Sequence, residues 1–180
     1  MKIISGNYKG QNILTINDPK TRPMMSIARE GIFSSLQFNI KDAMILDLYA
    51  GSGSMGLEAL SREAKYVTFV ETSDKCISIL NKNLLKFDTN YNIQKMSVDN
   101  YISNAFDKFN IVFYYPPFDF EDSKVAQEIL TLESLLEKNG YIVCHRHIKS
   151  VTEILSKNLE INKEKNYGQS RIFLYLFLGF

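Results

Sequence analysis

From Met44 to the C-terminus, apolar runs of strand length alternate with stretches in which apolar residues recur every three or four positions. The runs are Met44–Tyr49, Tyr66–Val70, Ile93–Met96, Phe109–Tyr114, Tyr141–Cys144 and Arg171–Leu178, with a weaker one over Leu159–Lys165. Unbroken apolar runs mark strands buried on both faces, as in a parallel sheet covered by helices. Between them, Cys76, Ile77, Leu80, Leu84 and Phe87 form one helical stripe; Val125, Ile129, Leu132 and Leu136 form a second, and Ile148, Val151 and Leu155 a third. The expected fold is α/β: a Rossmann-like, doubly wound, seven-stranded and mainly parallel sheet. The last two strands are separated by Asn166, Tyr167, Gly168 and Gln169, too few residues for a parallel crossover, so an antiparallel hairpin should end the sheet.

The first 40 residues differ from this alternation. Lys2–Asn7 and Gln11–Ile16 read as two short strands joined through Tyr8, Lys9 and Gly10, and a helix with Ala28, Ile32, Phe33 and Leu36 on one face should follow Arg22-Pro23. Residues 1–40 are thus a small extension and 41–180 the core of a single domain. With 180 residues, 45% hydrophobic and 23% charged, the chain can bury a full core; a disulfide mini-protein and a disordered chain are excluded, and the length fits one domain better than two.

Its 21 basic and 20 acidic residues are too balanced for nucleic-acid binding by bulk charge, so any such contact must be local. The imbalance sits at the start: Lys2, Lys9, Lys20, Arg22 and Arg29 against Asp18 and Glu30 give residues 1–30 a net +3 and leave −2 for the remainder. Cys76 and Cys144 lie far apart in segments that read as buried, which suits a reducing compartment. The N-terminus has no signal-peptide apolar region, and Ile172–Leu178 is far short of the roughly 18 residues of a membrane helix. A cytoplasmic monomer is expected, with no membrane partner.

The first strand ends in Asp47-Leu48-Tyr49-Ala50-Gly51-Ser52-Gly53-Ser54-Met55-Gly56 and runs straight into a helix. Glycines let the backbone turn tightly and approach a ligand, with free amides as donors. The spacing alone also fits a tight turn without a ligand. The surroundings discriminate: a dinucleotide would place phosphates over the glycines, where Asp47 would repel them, whereas a ligand with an amino or sulfonium cation would be favoured. Glu71 ends the second strand, where a carboxylate can accept from both ribose hydroxyls, and Asp99 follows the third, beside Val98, where it can accept from an adenine amine. Either acid also fits a helix N-cap.

This set resembles the class I S-adenosylmethionine-dependent methyltransferases. The resemblance makes S-adenosyl-L-methionine the cofactor and assigns its binding to Asp47, Tyr49, Gly51, Ser52, Gly53, Gly56, Glu71, Thr72, Val98 and Asp99. The fourth strand breaks at Tyr115-Pro116-Pro117-Phe118, at the sheet edge of the glycine loop, because proline cannot continue a central strand. In methyltransferases of planar amines this place holds Asp or Asn, then Pro-Pro, then Tyr or Phe. Acceptors there take the two N–H groups of an exocyclic amine, and the aromatic ring stacks on the base. Here Tyr115 stands where the acid or amide belongs, and a neutral phenol is a bulkier and poorer acceptor.

Over nearly its whole length the chain resembles the bacterial RsmD-type small-subunit (16S) ribosomal RNA guanine-N2 methyltransferases. The resemblance is carried by Ile3-Ile4-Ser5-Gly6-Asn7-Tyr8-Lys9-Gly10, by Thr21-Arg22-Pro23 with Arg29-Glu30-Gly31-Ile32-Phe33, and by Asp47 through Arg62. The family usually has an acidic residue at Ser26 and a basic one at Ile27. The resemblance implies methyl transfer to a guanine amine in the small subunit or its assembly particle, with Tyr115, Pro116, Pro117 and Phe118 as the catalytic set and Lys2, Lys9, Arg22 and Arg29 on RNA phosphates. A relative that binds cofactor or rRNA without transferring a methyl is the alternative raised by Tyr115. Cys144-His145-Arg146-His147 lacks a second ligand pair, so no metal is expected; Cys144 reads as core and the rest as a polar edge that can touch RNA.

Overall fold

The computed structural model describes residues 1–16 and 26–180. Lys20, Thr21, Arg22 and Pro23 lie outside the described residues. The chain runs α1 (Ser26–Ser35), β1 (Met44–Leu48), α2 (Ser54–Ser61), β2 (Tyr66–Glu71), α3 (Asp74–Leu84), β3 (Tyr91–Lys95), α4 (Val98–Asn104), β4 (Phe109–Tyr114), α5 (Asp122–Leu132), β5 (Leu136–His147), β6 (Leu159–Tyr167) and β7 (Ser170–Phe177). The sheet has seven strands in the order β3-β2-β1-β4-β5-β7-β6. β1 to β5 pair in parallel and β7 runs antiparallel to both β5 and β6, so the expected fold class and closing hairpin are borne out.

Strand alternation splits the core into two layers. Ile45, Ile111, Phe113 and Val143 face α1, α2 and α3, where Phe33 of α1 packs against Phe113 with ring centroids 5.6 Å apart. Leu46, Leu48, Val112, Tyr114, Ile142 and Cys144 face α4 and α5. Each central strand is sequestered from water on both sides, which is why its sequence is a continuous apolar run.

Three expectations are corrected. The N-terminal pair of strands reduces to one antiparallel bridge, Lys2 to Asn12, because the backbone beyond it finds partners in α2. The Ile4 and Ser5 amides donate to the two carboxylate oxygens of Glu58 at 2.8 and 3.0 Å, the Asn7 amide donates to the Ser61 carbonyl at 2.7 Å, and the Tyr8 amide to Ser61 Oγ at 3.0 Å. Gly6 makes this approach possible: at φ 85° a Cβ would lie 1.8 Å from the Ser61 carbonyl oxygen.

The third stripe forms no helix. Residues 148–158 run irregularly, with Val151 79% and Leu155 80% exposed, because the Asp122 carboxylate takes the Val151 amide at 3.0 Å and the Thr152 hydroxyl at 2.5 Å. Leu136 opens β5, which is far longer than Tyr141–Cys144 and shifts register against β4 between Phe109 and Ile111.

Candidate active site at the sheet switch point

Strand order reverses between β1 and β4: the chain winds from β1 through β2 to β3 on one side and from β4 to β5 on the other. Ligand crevices form above the carboxyl ends of strands at such a point. Leu48, the last residue of β1, pairs with Tyr114, the last of β4, so the glycine turn and the Tyr115–Phe118 loop leave the sheet side by side.

The glycine turn is built from left-handed backbone: Tyr49 at φ 55°, Gly51 at 57° and Gly53 at 81°. Two carboxylates from beneath hold it. Buried Asp47 accepts from the Gly56 amide at 2.9 Å. Glu71 accepts from Gly51 at 2.8 Å through one oxygen and from Thr72 and Ser73 at 2.8 and 2.9 Å through the other. The Ser52 carbonyl accepts from Asn83 Nδ2 at 3.1 Å. Burial pushes the Asp47 carboxyl up to about 8; the Gly56 hydrogen bond opposes the rise and the charge of Glu71 adds to it.

The helix N-caps are Ser73 for α3 and Ser97 for α4, so neither Glu71 nor Asp99 serves as one. Val98 is buried, and Asp99 lies in the exposed first turn of α4, 3.2 Å from Lys124 Nζ. That lysine also approaches Glu128 at 3.6 Å and lies 4.3 Å from the Phe120 ring centroid. Glu128, which the sequence reading passed over, accepts from the phenols of Tyr49 at 3.0 Å and Tyr114 at 2.7 Å, tying the glycine turn to β4 and α5. Its signal was a carboxylate on the apolar side of α5.

The turn suits a cofactor without phosphates. A Cβ at Gly51 would meet no atom within 4 Å, so the turn is open on its ligand side. Among the described residues no basic side chain pairs with Asp47 or Glu71, which leaves the crevice acidic and receptive to a cation.

At the second loop, Tyr115 continues the alternation of Ile111 and Phe113 and turns toward the α1 layer. Its ring centroid is 6.2 Å from Phe113 and 5.6 Å from His145. Its hydroxyl is buried with no hydrogen-bond partner, near enough to Asp47 and Arg29 to feel both charges; burial drives its pKa well up and Asp47 adds to the rise. Pro116 is buried and Pro117 exposed. Phe118 is half-buried, its ring centroid 4.9 Å from His145 and 5.8 Å from His147. Burial lowers His145 to about 4, and its Nε2 lies 2.8 Å from Ser170 Oγ.

The basic residues expected on RNA do not share one place. Arg29 is 0% exposed and donates to the Lys2 carbonyl and the Met1 sulfur; it holds the N-terminal segment and reaches no phosphate. Lys2 and Lys9 are exposed. The turn carrying Lys9 rests on Ser61, at the far end of α2 from the glycine turn, roughly 12 Å along the helix at 1.5 Å per residue. Arg146, expected in a polar edge, is buried and holds backbone carbonyls instead. No cluster of metal-ligating side chains occurs among the described residues.

The family described as "Conserved hypothetical protein 95" matches residues 1–176. The ribosomal RNA small subunit methyltransferase D of Haemophilus influenzae is 33% identical over 97% of this chain and 93% of its own. The chain belongs to this RsmD family. The solved structure of "Putative methyltransferase yhhF from Escherichia coli" superposes with a TM-score of 0.87 at 30% identity, covering 98% of this chain and 97% of that one. A more distant methyltransferase solved with SAH shares the fold, with a TM-score of 0.69 at 14% identity over 82% of this chain and 49% of its own. No helix among the described residues is long and apolar enough to cross a membrane.

Proposed function

We propose that the chain methylates the exocyclic N2 of a guanine in small-subunit ribosomal RNA, with S-adenosylmethionine as donor. The observation that carries this reading is the pairing of Leu48 with Tyr114, which sets the open glycine turn beside the Pro116-Pro117-Phe118 loop. When bound, the cofactor supplies a methyl group on positively charged sulfur. Asp47, Gly51, Gly53 and Gly56 shape the crevice for it, Glu71, with three amides already on its carboxylate, has capacity left for one hydroxyl, and Asp99 reaches an amine once Lys124 yields.

On the acceptor side, a guanine taken out of its stack rests against Phe118, and the Pro116 carbonyl accepts a hydrogen bond from one N2–H. The amine lone pair would take up the methyl that the bound cofactor supplies, the new N–C bond replacing the C–S bond, and the surplus N2 proton would pass to water. Lys2 and Lys9 meet phosphates, Lys9 well away from the reacting edge, so the substrate spans more than one nucleotide. An assembled small subunit fits that requirement, and the reaction takes place in the cytoplasm with the chain as a monomer. Nothing in the family comparisons favours the binding-only alternative.

The test is transfer of labelled methyl to unmethylated small subunits, followed by nucleoside analysis of the RNA. Label in N2-methylguanosine, absent with Asp47→Ala, is the expected result. Label in another nucleoside or in protein refutes the substrate assignment. No label from a protein that binds the cofactor establishes the binding-only reading.

A further inference from the structure

Arg146 has one of the largest fully buried side chains among the described residues, at 1% exposure. Its register explains the position: after Ile142 and Cys144, residue 146 falls on the α5 face of β5, in the apolar layer. A buried guanidinium is costly unless its donors are used on strong acceptors. Here Nη1 donates to the Pro117 carbonyl at 3.1 Å, and Nη2 donates to the Phe120 carbonyl at 2.7 Å and to Asp122 Oδ1 at 3.3 Å; Nε has no partner.

These two carbonyls bound one turn, which is itself closed by the Phe120 amide donating to Pro117 at 3.1 Å. Phe118 lies within that turn. From the other face of β5, His145 packs edge-on against the same phenylalanine. Asp122 anchors the guanidinium in turn: although burial raises its pKa, the Thr152 hydroxyl, the Val151 amide and Arg146 hold the carboxyl below its usual range.

We propose that Arg146 is a positioning residue for methyl transfer, gripping both ends of the Pro117–Phe120 turn and thereby fixing the Phe118 ring and the Pro116 backbone against the acceptor base. This rests on the function proposed above. Tyr115 is turned into the α1 layer and offers the amine no acceptor, so the chain has only loop geometry with which to hold the base. A fixed fork satisfies two divergent carbonyls at once, whereas a lysine ammonium reaches one or the other.

The experiment compares wild type, Arg146→Lys and Arg146→Met in the full chain, with and without Phe118→Leu. Thermal unfolding and S-adenosylmethionine affinity identify folded variants; Arg146→Lys keeps the charge and serves if Arg146→Met fails to fold. For Arg146→Lys, cofactor affinity within twofold of wild type and a kcat on small subunits lowered at least tenfold are expected. In the Phe118→Leu background the same substitution costs less than twofold, because its effect passes through that ring.

Hydrogen exchange of ligand-free protein gives a readout independent of turnover. Exchange over residues 118–121 rises at least tenfold in Arg146→Lys, while the glycine turn is unchanged. Unchanged exchange there overturns the clamp, as does a kcat within twofold of wild type or a full additive loss on top of Phe118→Leu. If wild type transfers no methyl, the proposed function fails while the exchange comparison still decides the clamp.

Discussion

Replacing Tyr115 by Phe separates a phenol that participates in chemistry from one that fills space. The hydroxyl is buried in the α1 layer with no partner among the described residues, and the ring packs between Phe113 and His145. Leaving a buried hydroxyl unpaired costs about 1–3 kcal/mol, and Phe keeps the ring contacts while removing that cost. A net stabilisation of about 1 kcal/mol follows, which for a domain of this size raises Tm by roughly 2–4 °C. Methyl transfer to small subunits should stay within twofold, because the buried oxygen makes no hydrogen bond that phenylalanine would lose. The assay pairs thermal unfolding of ligand-free protein with initial transfer rates. A fall in Tm of several degrees would show that the hydroxyl is hydrogen-bonded in solution, and a rate loss beyond tenfold would make the phenol part of the reaction; either result refutes the argument.

Asp47 imposes a pH dependence on stability. Its folded-state pKa, pushed to about 8, lies above the ordinary carboxylate value, so its contribution is complete below about pH 4 and is lost as pH rises through 8. Urea unfolding at a series of pH values should show wild type losing stability over that window relative to Asp47→Asn, and parallel profiles would contradict the assignment. His145 acts in the opposite sense: lowered to about 4, it contributes stability that is present above about pH 6.5 and is lost as pH falls through 4. His145→Gln should flatten the acid limb of the same profile. Glu71→Ala removes the acceptor of the Gly51 amide in the glycine turn and of the Thr72 and Ser73 amides after β2, and should weaken cofactor binding about 10- to 100-fold by calorimetry, the equivalent of roughly 1.5–3 kcal/mol for bonds to a charged group. Gly53→Ala forces a left-handed alanine whose Cβ meets Leu80 Cδ1 at 2.4 Å; a loss of about 1–3 kcal/mol in chemical denaturation is expected, with unchanged stability as the refuting result.

The central sheet was legible because strands covered on both faces need apolar side chains at most positions, and β1, β2 and β4 meet that condition with Asp47, Thr68, Glu71 and Asn110 as the exceptions. β3 was placed two residues late because it is the edge strand and its residues are exposed or half-buried. The missing helix after β5 had the right apolar spacing, but the Asp122 carboxylate captures the Val151 amide and the Thr152 hydroxyl, an outcome settled by a residue about 30 positions away. Both acids under the glycine turn were found from their places at strand ends. Arg29 and Arg146 were misread for one reason: a positive charge reads as surface until the carbonyls that satisfy it are known. For Arg146 a signal existed, since alternation from Ile142 and Cys144 places residue 146 on the core face.

The same alternation explains how the site divides its tasks. Odd-numbered residues of β1 and β4 face α1 to α3, so Asp47 and Tyr115 share one layer, and a carboxylate at position 115 would stand on the side of a carboxylate already strained by burial and by Glu71. A neutral phenol adds no further acid beside Asp47 and Glu71. Even-numbered residues of β4 and β5 face α4 and α5, where Tyr114 reaches Glu128 and Arg146 reaches the turn after Pro117. Asp47 and Glu71 hold the glycine turn from one layer, Glu128 reaches it through Tyr49 from the other, and Arg146 holds the turn after Pro117. Both signs occur in each layer, Arg29 being buried on the side of Asp47 and Asp122 pairing with Arg146 on the other, so the two loops are braced from both faces of the sheet by polar groups whose partners lie in the same layer.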